Sequence, residues 1–253
     1  MSIEVVICAA GRGTRLDFDG PKTLFPISGK TILEWILGEL PPEITAIALV
    51  CSPVHAPAFE EFIHQKLRKT NFAVRVVLQP QAIGTADAVY RAISTSTASH
   101  CLIAWGDQIG LARTTFDKIL EKNIQGYGVV LPLIESYFPY VNFEFNEHFE
   151  IISFNETKIT GKSERCAYTD CGTFLVRKEQ FLKFLEETAC EQERDIFENG
   201  ECNILNLFHL YELRKERISK VILFDQEIRT SVNNLLEALE AEKYISRRLV
   251  KNG

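Results

Sequence analysis

The sequence has no surplus of positive charge: 28 lysines and arginines stand against 34 aspartates and glutamates, a formal net charge of −6 at pH 7. Proteins that grip a nucleic-acid backbone carry the opposite balance, so any anion site here must be local, and nucleic acid is not an expected partner. No apolar stretch approaches the ~20 residues that a membrane-spanning helix needs. The opening Met1-Ser2-Ile3-Glu4-Val5-Val6 has an acid where an export signal has basic residues, and its apolar run soon stops. No membrane partner and a cytoplasmic location are therefore expected. Paired cysteines are missing too. The seven present (Cys8, Cys51, Cys101, Cys166, Cys171, Cys190, Cys202) are odd in number, scattered, and form no C-x-x-C pair, so neither a disulfide framework nor a zinc site is indicated. Reduced, mostly buried thiols are the expectation. The five histidines show no paired ligand spacing, and no internal repeat, low-complexity segment or linker interrupts the chain.

What is present is an ordinary globular mixture, 46% hydrophobic and 25% charged, which excludes disordered and fibrous classes. Ile3 to Ala10 is an apolar, β-branched run stopped by Gly11, the pattern of a strand buried on both faces. Thr31 to Leu40 spaces Ile32, Leu33, Ile36, Leu37 and Leu40 as a helix, ended by Pro41-Pro42. Strands at 45–51, 72–78, 101–105 and 128–134 then alternate with helices at 58–69, 85–93 and 115–122. This alternation predicts an α/β fold with a doubly wound, mostly parallel Rossmann-like sheet, whose ligands bind beyond the carboxyl ends of the strands. From Tyr137 the pattern changes. Alternating Val141-Asn142-Phe143-Glu144-Phe145, a short strand at 151–154 and one long strand at 167–177 predict a small antiparallel lobe. Helices at 179–187, 204–217 and 234–249 and a strand at 220–225 complete the expectation of one domain over 1–253, its first half reaching to about residue 135.

The first chemically informative stretch is Ala9-Ala10-Gly11-Arg12-Gly13-Thr14-Arg15-Leu16, directly after the first strand. Glycines there let backbone N–H groups approach a phosphate, and Arg15 adds a fork of donors for phosphate oxygens. Two familiar phosphate motifs fail. The dinucleotide fingerprint wants a third glycine where Leu16 stands, and Asp17-Phe18-Asp19-Gly20-Pro21 forbids the helix it requires. The P-loop wants Gly-Lys-Ser/Thr, but Pro21 separates Gly20 from Lys22.

The continuation Pro21-Lys22-Thr23-Leu24-Phe25-Pro26-Ile27, then Gly29-Lys30-Thr31-Ile32-Leu33, resembles the sugar-1-phosphate nucleotidyltransferases, whose signature is G-x-G-T-R-[LM], then P-K-x-L-x-P and G-K-P-[IML]-[IL]. In particular the chain is similar to the uridylyltransferase domain of N-acetylglucosamine-1-phosphate uridylyltransferases, and the resemblance runs from Val5 to the closing helix. It implies a GT-A-like nucleotidyltransferase fold with a sugar-binding lobe, and a reaction joining a nucleoside triphosphate to a sugar-1-phosphate with release of pyrophosphate. Ala10, Gly11, Gly13 and Thr14 would cradle the triphosphate, with Arg15 on the leaving pyrophosphate and Lys22 at the reacting phosphates. Gln79 with Gly84 and Thr85 looks like the base-reading segment of uridylyl- and thymidylyltransferases, since a side-chain amide can pair with the imide edge of uracil; UTP or dTTP is favoured.

Asp107, in Trp105-Gly106-Asp107, looks like the family's catalytic Gly-Asp pair. Asn233, in Ser231-Val232-Asn233-Asn234, matches its V-N element. Together they would hold Mg2+, which takes few protein oxygens plus water and substrate phosphates. Glu156 looks like the sugar-hydroxyl acceptor, and Asp170 falls where the N-acetylglucosamine-1-phosphate members have Asn, while Val141 replaces a glycine of theirs; the identity of the sugar is open. No β-helix acetyltransferase segment lies within the 253 residues, so acetyl transfer is not expected. Within the same chemistry, GTP, CTP or a non-sugar phosphate acceptor is the alternative. A non-catalytic nucleotide-sugar-binding regulator is the alternative of another class, against which Arg15, Lys22, Asp107 and Asn233 are all present.

Overall fold

The computed structural model describes residues 2–11, 13, 15–123, 127–161, 164–191, 202–225 and 230–252. Its elements run β1 (Ile3–Cys8), β2 (Pro26–Ile27), β3 (Lys30–Thr31), α1 (Ile32–Glu39), β4 (Ala46–Cys51), α2 (Ala56–Phe62), β5 (Ala73–Leu78), α3 (Thr85–Ser94), β6 (His100–Trp105), α4 (Arg113–Asn123) and β7 (Val129–Tyr137). They continue as β8 (Val141–Phe145), β9 (Ile151–Glu156), α5 (Thr157–Thr160), β10 (Cys166–Asp170), β11 (Thr173–Arg177), α6 (Lys178–Glu191), α7 (Phe208–Leu213), β12 (Ile218–Leu223) and α8 (Leu235–Asn252).

One mixed sheet has the order β5-β4-β1-β6-β11-β7-β10-β8-β9, with β12 pairing β7. It is parallel across β5, β4, β1 and β6, and antiparallel from β6 outward through β9, apart from β12, which runs parallel to β7. The antiparallel lobe is thus an extension of the same sheet, and β2 with β3 forms a separate hairpin. This is the expected α/β architecture, with a parallel core and an antiparallel lobe.

Why the sheet sits in the middle is legible in β1. Val5 and Ile7 enter a core that contains α1 residues Ile32, Leu33 and Ile36, Phe116 of α4 and Ile245 of α8. Val6, facing the opposite way, enters a second core with Val89 and Ile93 of α3, Phe181 of α6 and Phe208 of α7. A strand with helices on both faces gains from an unbroken apolar run, because alternating side chains are both removed from water. The α1 start follows its local chemistry: the Thr31 hydroxyl accepts from the Glu34 N–H at 3.1 Å and the Glu34 carboxylate accepts from the Thr31 N–H at 2.8 Å, a reciprocal capping box. Within β1, the buried Glu4 is matched by Arg75 of β5, whose Nε and Nη2 each donate to it at 2.7 Å while Nη2 also donates to the Ala92 carbonyl.

Three elements differ from expectation, the first being the helix expected over 58–69, which is α2 followed by a π-helical stretch at Ile63–Leu67. The long strand over 167–177 is two strands, broken at Cys171-Gly172, where Gly172 takes φ 74° and its N–H donates to Asp170 Oδ2 at 2.8 Å. The break lets β10 pair with β7 and β8 while β11 inserts between β6 and β7. The helix expected over 204–217 is a 3-10 turn (Ile204–Leu207) leading into α7, which stops at Leu213; Lys215 adopts φ 61°.

Among the described cysteines none is in a disulfide, and Cys51, Cys101 and Cys202 are buried. Burial pushes these three thiols up to about 11 from the ordinary 9.0. The folded chain therefore keeps protons that the unfolded chain loses first, and this contribution to stability is undiminished below the ordinary thiol pKa. It is lost as pH rises from about 9 toward about 11. Urea unfolding at about pH 8, 9.5 and 10.5 is expected to give a midpoint that falls at each step; a flat or rising midpoint contradicts it.

Candidate active site

The carboxyl ends of β1, β4, β5 and β6 lie along one edge of the sheet, and the segments leaving β1, β5 and β6 line a cleft of about 1090 Å3. A smaller hollow of about 520 Å3 lies at the opposite ends of β1 and β4 and has only Glu43 and Glu121 as charged lining residues. The larger cleft is the one that open α/β sheets use for ligands, and of the two it is the one that gathers groups able to handle phosphate.

At its centre the Lys22 ammonium stands between two side chains remote in sequence. It is hydrogen-bonded and ion-paired to the Asp107 carboxylate and donates to Asn233 Oδ1 at 3.0 Å. Asp107 follows β6; its carbonyl accepts from the Val232 N–H at 3.0 Å, a backbone bond that fixes the 231–233 segment against it. The Asn233 amide has one orientation. Its Nδ2 donates to Glu237 Oε2 at 2.9 Å and to Ser231 Oγ at 3.2 Å, and its backbone N–H donates to the same Glu237 oxygen at 2.8 Å. Oδ1 is thereby turned toward the cation. Glu237 sits in the first turn of α8, where its own N–H donates to the N-capping Asn234 Oδ1 at 3.0 Å. The Asn234 side chain thus caps the helix, and the Glu237 carboxylate holds the amides of Asn233 and Asn234 in place.

A carboxylate oxygen and an amide oxygen facing one cationic nitrogen form a sparse, hard donor pair, the kind a magnesium ion completes with water and phosphate oxygens. Among the described residues no cluster of three or more His, Cys, Asp or Glu side chains forms a denser metal centre. The pair fits Mg2+ and does not fit zinc.

The glycine-rich loop brings Ala10, Gly11 and the exposed Arg15 to the cleft, while Gly13, at φ 60°, packs against the Lys22 stem. Thr14 lies outside the described residues. Gln79, at the end of β5, is buried and lines the cleft; its Nε2 donates to the Gly84 carbonyl at 2.9 Å and to Asp87 Oδ2 at 3.0 Å. The fold itself requires glycine at position 84. Its φ is 103°, and a Cβ there would lie 2.2 Å from the Cys202 carbonyl oxygen. The Thr85 hydroxyl accepts from the Ile204 N–H at 2.9 Å, tying the first turn of α3 to the 202–204 segment; Gly84 is the N-cap.

The sugar-lobe residues separate. Asp170 lines the cleft, its Oδ2 accepting from Trp105 Nε1 at 3.2 Å and from the Gly172 N–H. Glu156 stands behind the lining: Tyr140 OH donates to its Oε1 at 3.3 Å and Asn203 Nδ2 to its Oε2 at 3.4 Å, and these two partners face the cleft in its place. Burial, then the Glu156 charge, pushes the Tyr140 hydroxyl up, so it remains a donor. Cys8 also lines the cleft, but burial, reinforced by Asp107, pushes its thiol up to about 12, which removes it as a nucleophile near neutral pH.

Sequence reasoning does not identify Trp105, Tyr140, Asn203 or Glu237. Of these, Glu237 carries a local signal, three residues after the capping Asn234; the others reach the cleft through tertiary contacts.

Residues 5–203 match the MobA-like NTP transferase domain, and the chain belongs to that family, which makes it an enzyme of the NTP-transferase type. It is 22% identical over 255 residues to the bifunctional protein GlmU of Buchnera aphidicola subsp. Baizongia pistaciae, covering 99% of this chain and 54% of that protein. It is 30% identical over 128 residues, 49% of its length, to GlmU of Rhodopseudomonas palustris strain BisA53, of which it covers 27%. At full alignment the chain thus spans about half the length of the curated relatives it matches. Among solved structures it resembles a Bacillus anthracis protein described as a glucose-1-phosphate thymidylyltransferase, in complex with sucrose, with TM-score 0.76, 16% identity, and coverage of 96% of this chain and 94% of that one. It also resembles HddC from Yersinia pseudotuberculosis complexed with GMP-PN, with TM-score 0.65, 19% identity, and coverage of 96% and 99%. These two likenesses concern the fold. Among the described residues no helix is long and apolar enough to cross a membrane.

Proposed function

We propose that the chain transfers a nucleotidyl group from a nucleoside triphosphate, UTP or dTTP, to a hexose- or hexosamine-1-phosphate, giving a nucleotide-sugar and pyrophosphate. The observation that carries this reading is the Lys22 ammonium set between Asp107 and Asn233 at the centre of the cleft. In the proposed reaction an oxygen of the sugar-1-phosphate attacks the α-phosphorus. As that bond forms, the bond from the α-phosphorus to the bridging oxygen of the β-phosphate breaks, and pyrophosphate leaves with the electron pair. The attacking phosphate is already ionised at neutral pH, so the site needs no side-chain nucleophile.

The protein's part is positioning and charge neutralisation. Lys22 would bear on the reacting phosphates, and Arg15 with the Ala10-Gly11-Gly13-Thr14 backbone on the leaving pyrophosphate. Asp107 and Asn233 would hold Mg2+, which when bound supplies charge neutralisation at the phosphates. Gln79, Gly84 and Thr85 would read the base, and Asp170, with Glu156 acting through Tyr140 and Asn203, would contact the acceptor.

GlmU relatives and a structural neighbour described as a thymidylyltransferase support a sugar-phosphate acceptor. A specific observation favours a second reading: a 4-diphosphocytidyl-2C-methyl-D-erythritol synthase from Anaerococcus prevotii matches with TM-score 0.67, so the fold also accommodates CTP and a non-sugar acceptor. A pyrophosphate-release panel of UTP, dTTP, GTP and CTP against sugar-1-phosphates and other phosphate acceptors, with Mg2+, decides between them. Pyrophosphate is expected with UTP or dTTP and a hexosamine- or hexose-1-phosphate; release only with a non-sugar acceptor, or with none, overturns the proposal.

A further inference from the structure

A primary amide can present a donor or an acceptor, so a glutamine reads a base unambiguously only if something decides which end faces the ligand. At Gln79 that decision is built in. Both hydrogens of Nε2 are engaged, one by the Gly84 carbonyl at 2.9 Å and one by Asp87 Oδ2 at 3.0 Å. Turning the amide over would set Oε1 against a carbonyl and a carboxylate, two acceptors, in a site where the glutamine is 4% exposed. Asp87 is itself held: Arg91, one turn along α3, donates from Nε to both of its oxygens at 2.9 and 2.8 Å. Oε1 accepts no hydrogen bond from the described residues and is not sealed from the cleft that Gln79 lines.

We propose that Asp87, clamped by Arg91, is a positioning residue that makes Gln79 an acceptor-only reader, selecting nucleoside triphosphates whose base offers a ring N–H. Uracil and thymine at N3 and guanine at N1 carry such a hydrogen, whereas cytosine at N3 and adenine at N1 present a lone pair. A lone pair opposite Oε1 leaves two acceptors facing each other in a poorly solvated spot, which costs more than a merely absent bond. This inference rests on the nucleotide-binding reading above and names what that site recognises. The bland account of Asp87, a first-turn acid favoured by the helix dipole and paired at i+4, explains its stability value but predicts no effect on base choice.

The test is equilibrium binding of UTP, CTP, GTP and ATP with Mg2+ by isothermal titration to the wild-type chain, Asp87→Asn and Gln79→Met, with thermal melting of each and turnover measured in parallel. Wild type is expected to bind UTP about tenfold or more tighter than CTP, the scale of one satisfied rather than opposed hydrogen bond. In Asp87→Asn the new amide can donate as well as accept, which removes one of the two opposing acceptors, so Gln79 can turn at lower cost. The UTP:CTP ratio should fall to within about threefold, chiefly through weaker UTP binding, with KM for UTP raised and kcat changed less than about twofold.

Equal wild-type affinity for UTP and CTP, or an Asp87→Asn chain that keeps the wild-type ratio, overturns the proposal. If Asp87→Asn does not fold, Gln79→Met decides the matter, since it must lose the UTP preference. Selective binding of a nucleoside triphosphate that releases no pyrophosphate with any sugar-1-phosphate acceptor would sink the proposed reaction and leave this inference standing.

Discussion

Asp107→Ala is expected to lower kcat/KM by about a thousandfold or more, the scale on which removal of a preorganised charge-stabilising group acts. The carboxylate is the anionic member of the pair facing the Lys22 ammonium, and its removal leaves that ammonium facing the neutral Asn233 oxygen. Two consequences then coincide. The proposed magnesium pair loses its charge, and Lys22 loses the contact that holds it across the cleft. Because both side chains are part-buried, near one-fifth exposed, the stability cost should be about 1–2 kcal/mol, between that of a surface pair and that of a fully buried charge. The activity loss is therefore expected without unfolding, with the melting temperature shifted by only a few degrees. Asp107→Asn, which keeps the shape and loses the charge, should fall between the two, about a hundredfold down. Steady-state kinetics over a range of Mg2+ concentrations checks this. A variant that turns over at close to the wild-type rate removes Asp107 from the chemistry altogether.

Much of this fold is readable in the sequence, for unequal reasons. β1, β4 and β6 are apolar on both faces, so their runs announce both strand and parallel burial. Spacing marks α1, and the capping box at Thr31 and Glu34 is local chemistry of the same kind. Asp107 and Asn233 lie 85 and 211 residues from Lys22, and no periodicity joins the three. Their meeting is legible only through resemblance to a family. What stays hidden depends on contacts at a distance. The strand break at Gly172 follows from β11 inserting between β6 and β7, where local β propensity through Thr173-Phe174-Leu175 gives no warning. Glu156 is expected to face the sugar, yet Tyr140 and Asn203 stand before it, and Asn203 adjoins a segment whose placement follows from the clasp with α3. Asp87 has the look of a helix-surface acid because its Arg91 partner is local, while its bond to Gln79 is set by how the 79–84 loop turns back.

Gly84→Ala is expected to have the largest effect on stability of any glycine substitution in the cleft. Residue 84 has φ 103° and ψ 173°, a region that side-chain-bearing residues essentially do not occupy and whose strain alone is of order 1–3 kcal/mol. The added methyl would also lie 2.2 Å from the Cys202 oxygen and 2.4 Å from its nitrogen. Those atoms cannot step aside as a flexible side chain can, because the Cys202 carbonyl accepts from the Ala86 N–H and the Cys202 N–H donates to the Ile83 carbonyl, each at 3.0 Å. Relief requires the 83–86 and 202–204 segments to part, and the total loss should reach about 3 kcal/mol or more.

Function should follow the same rupture. The Gly84 carbonyl holds one hydrogen of Gln79, and the Thr85 hydroxyl holds Ile204, so parting the segments frees the base reader and shifts Asn203 away from Glu156. Weaker UTP binding and a lowered urea midpoint should therefore occur together. Gly38→Ala provides the contrast. Gly38 is exposed in α1 and an added methyl meets nothing within 4 Å, so it should gain up to about 1 kcal/mol from helix propensity. Should Gly84→Ala match Gly38→Ala in stability, the close approach of Cys202 would not exist in solution, and the clasp joining the base-reading loop to the acceptor side would have to be abandoned.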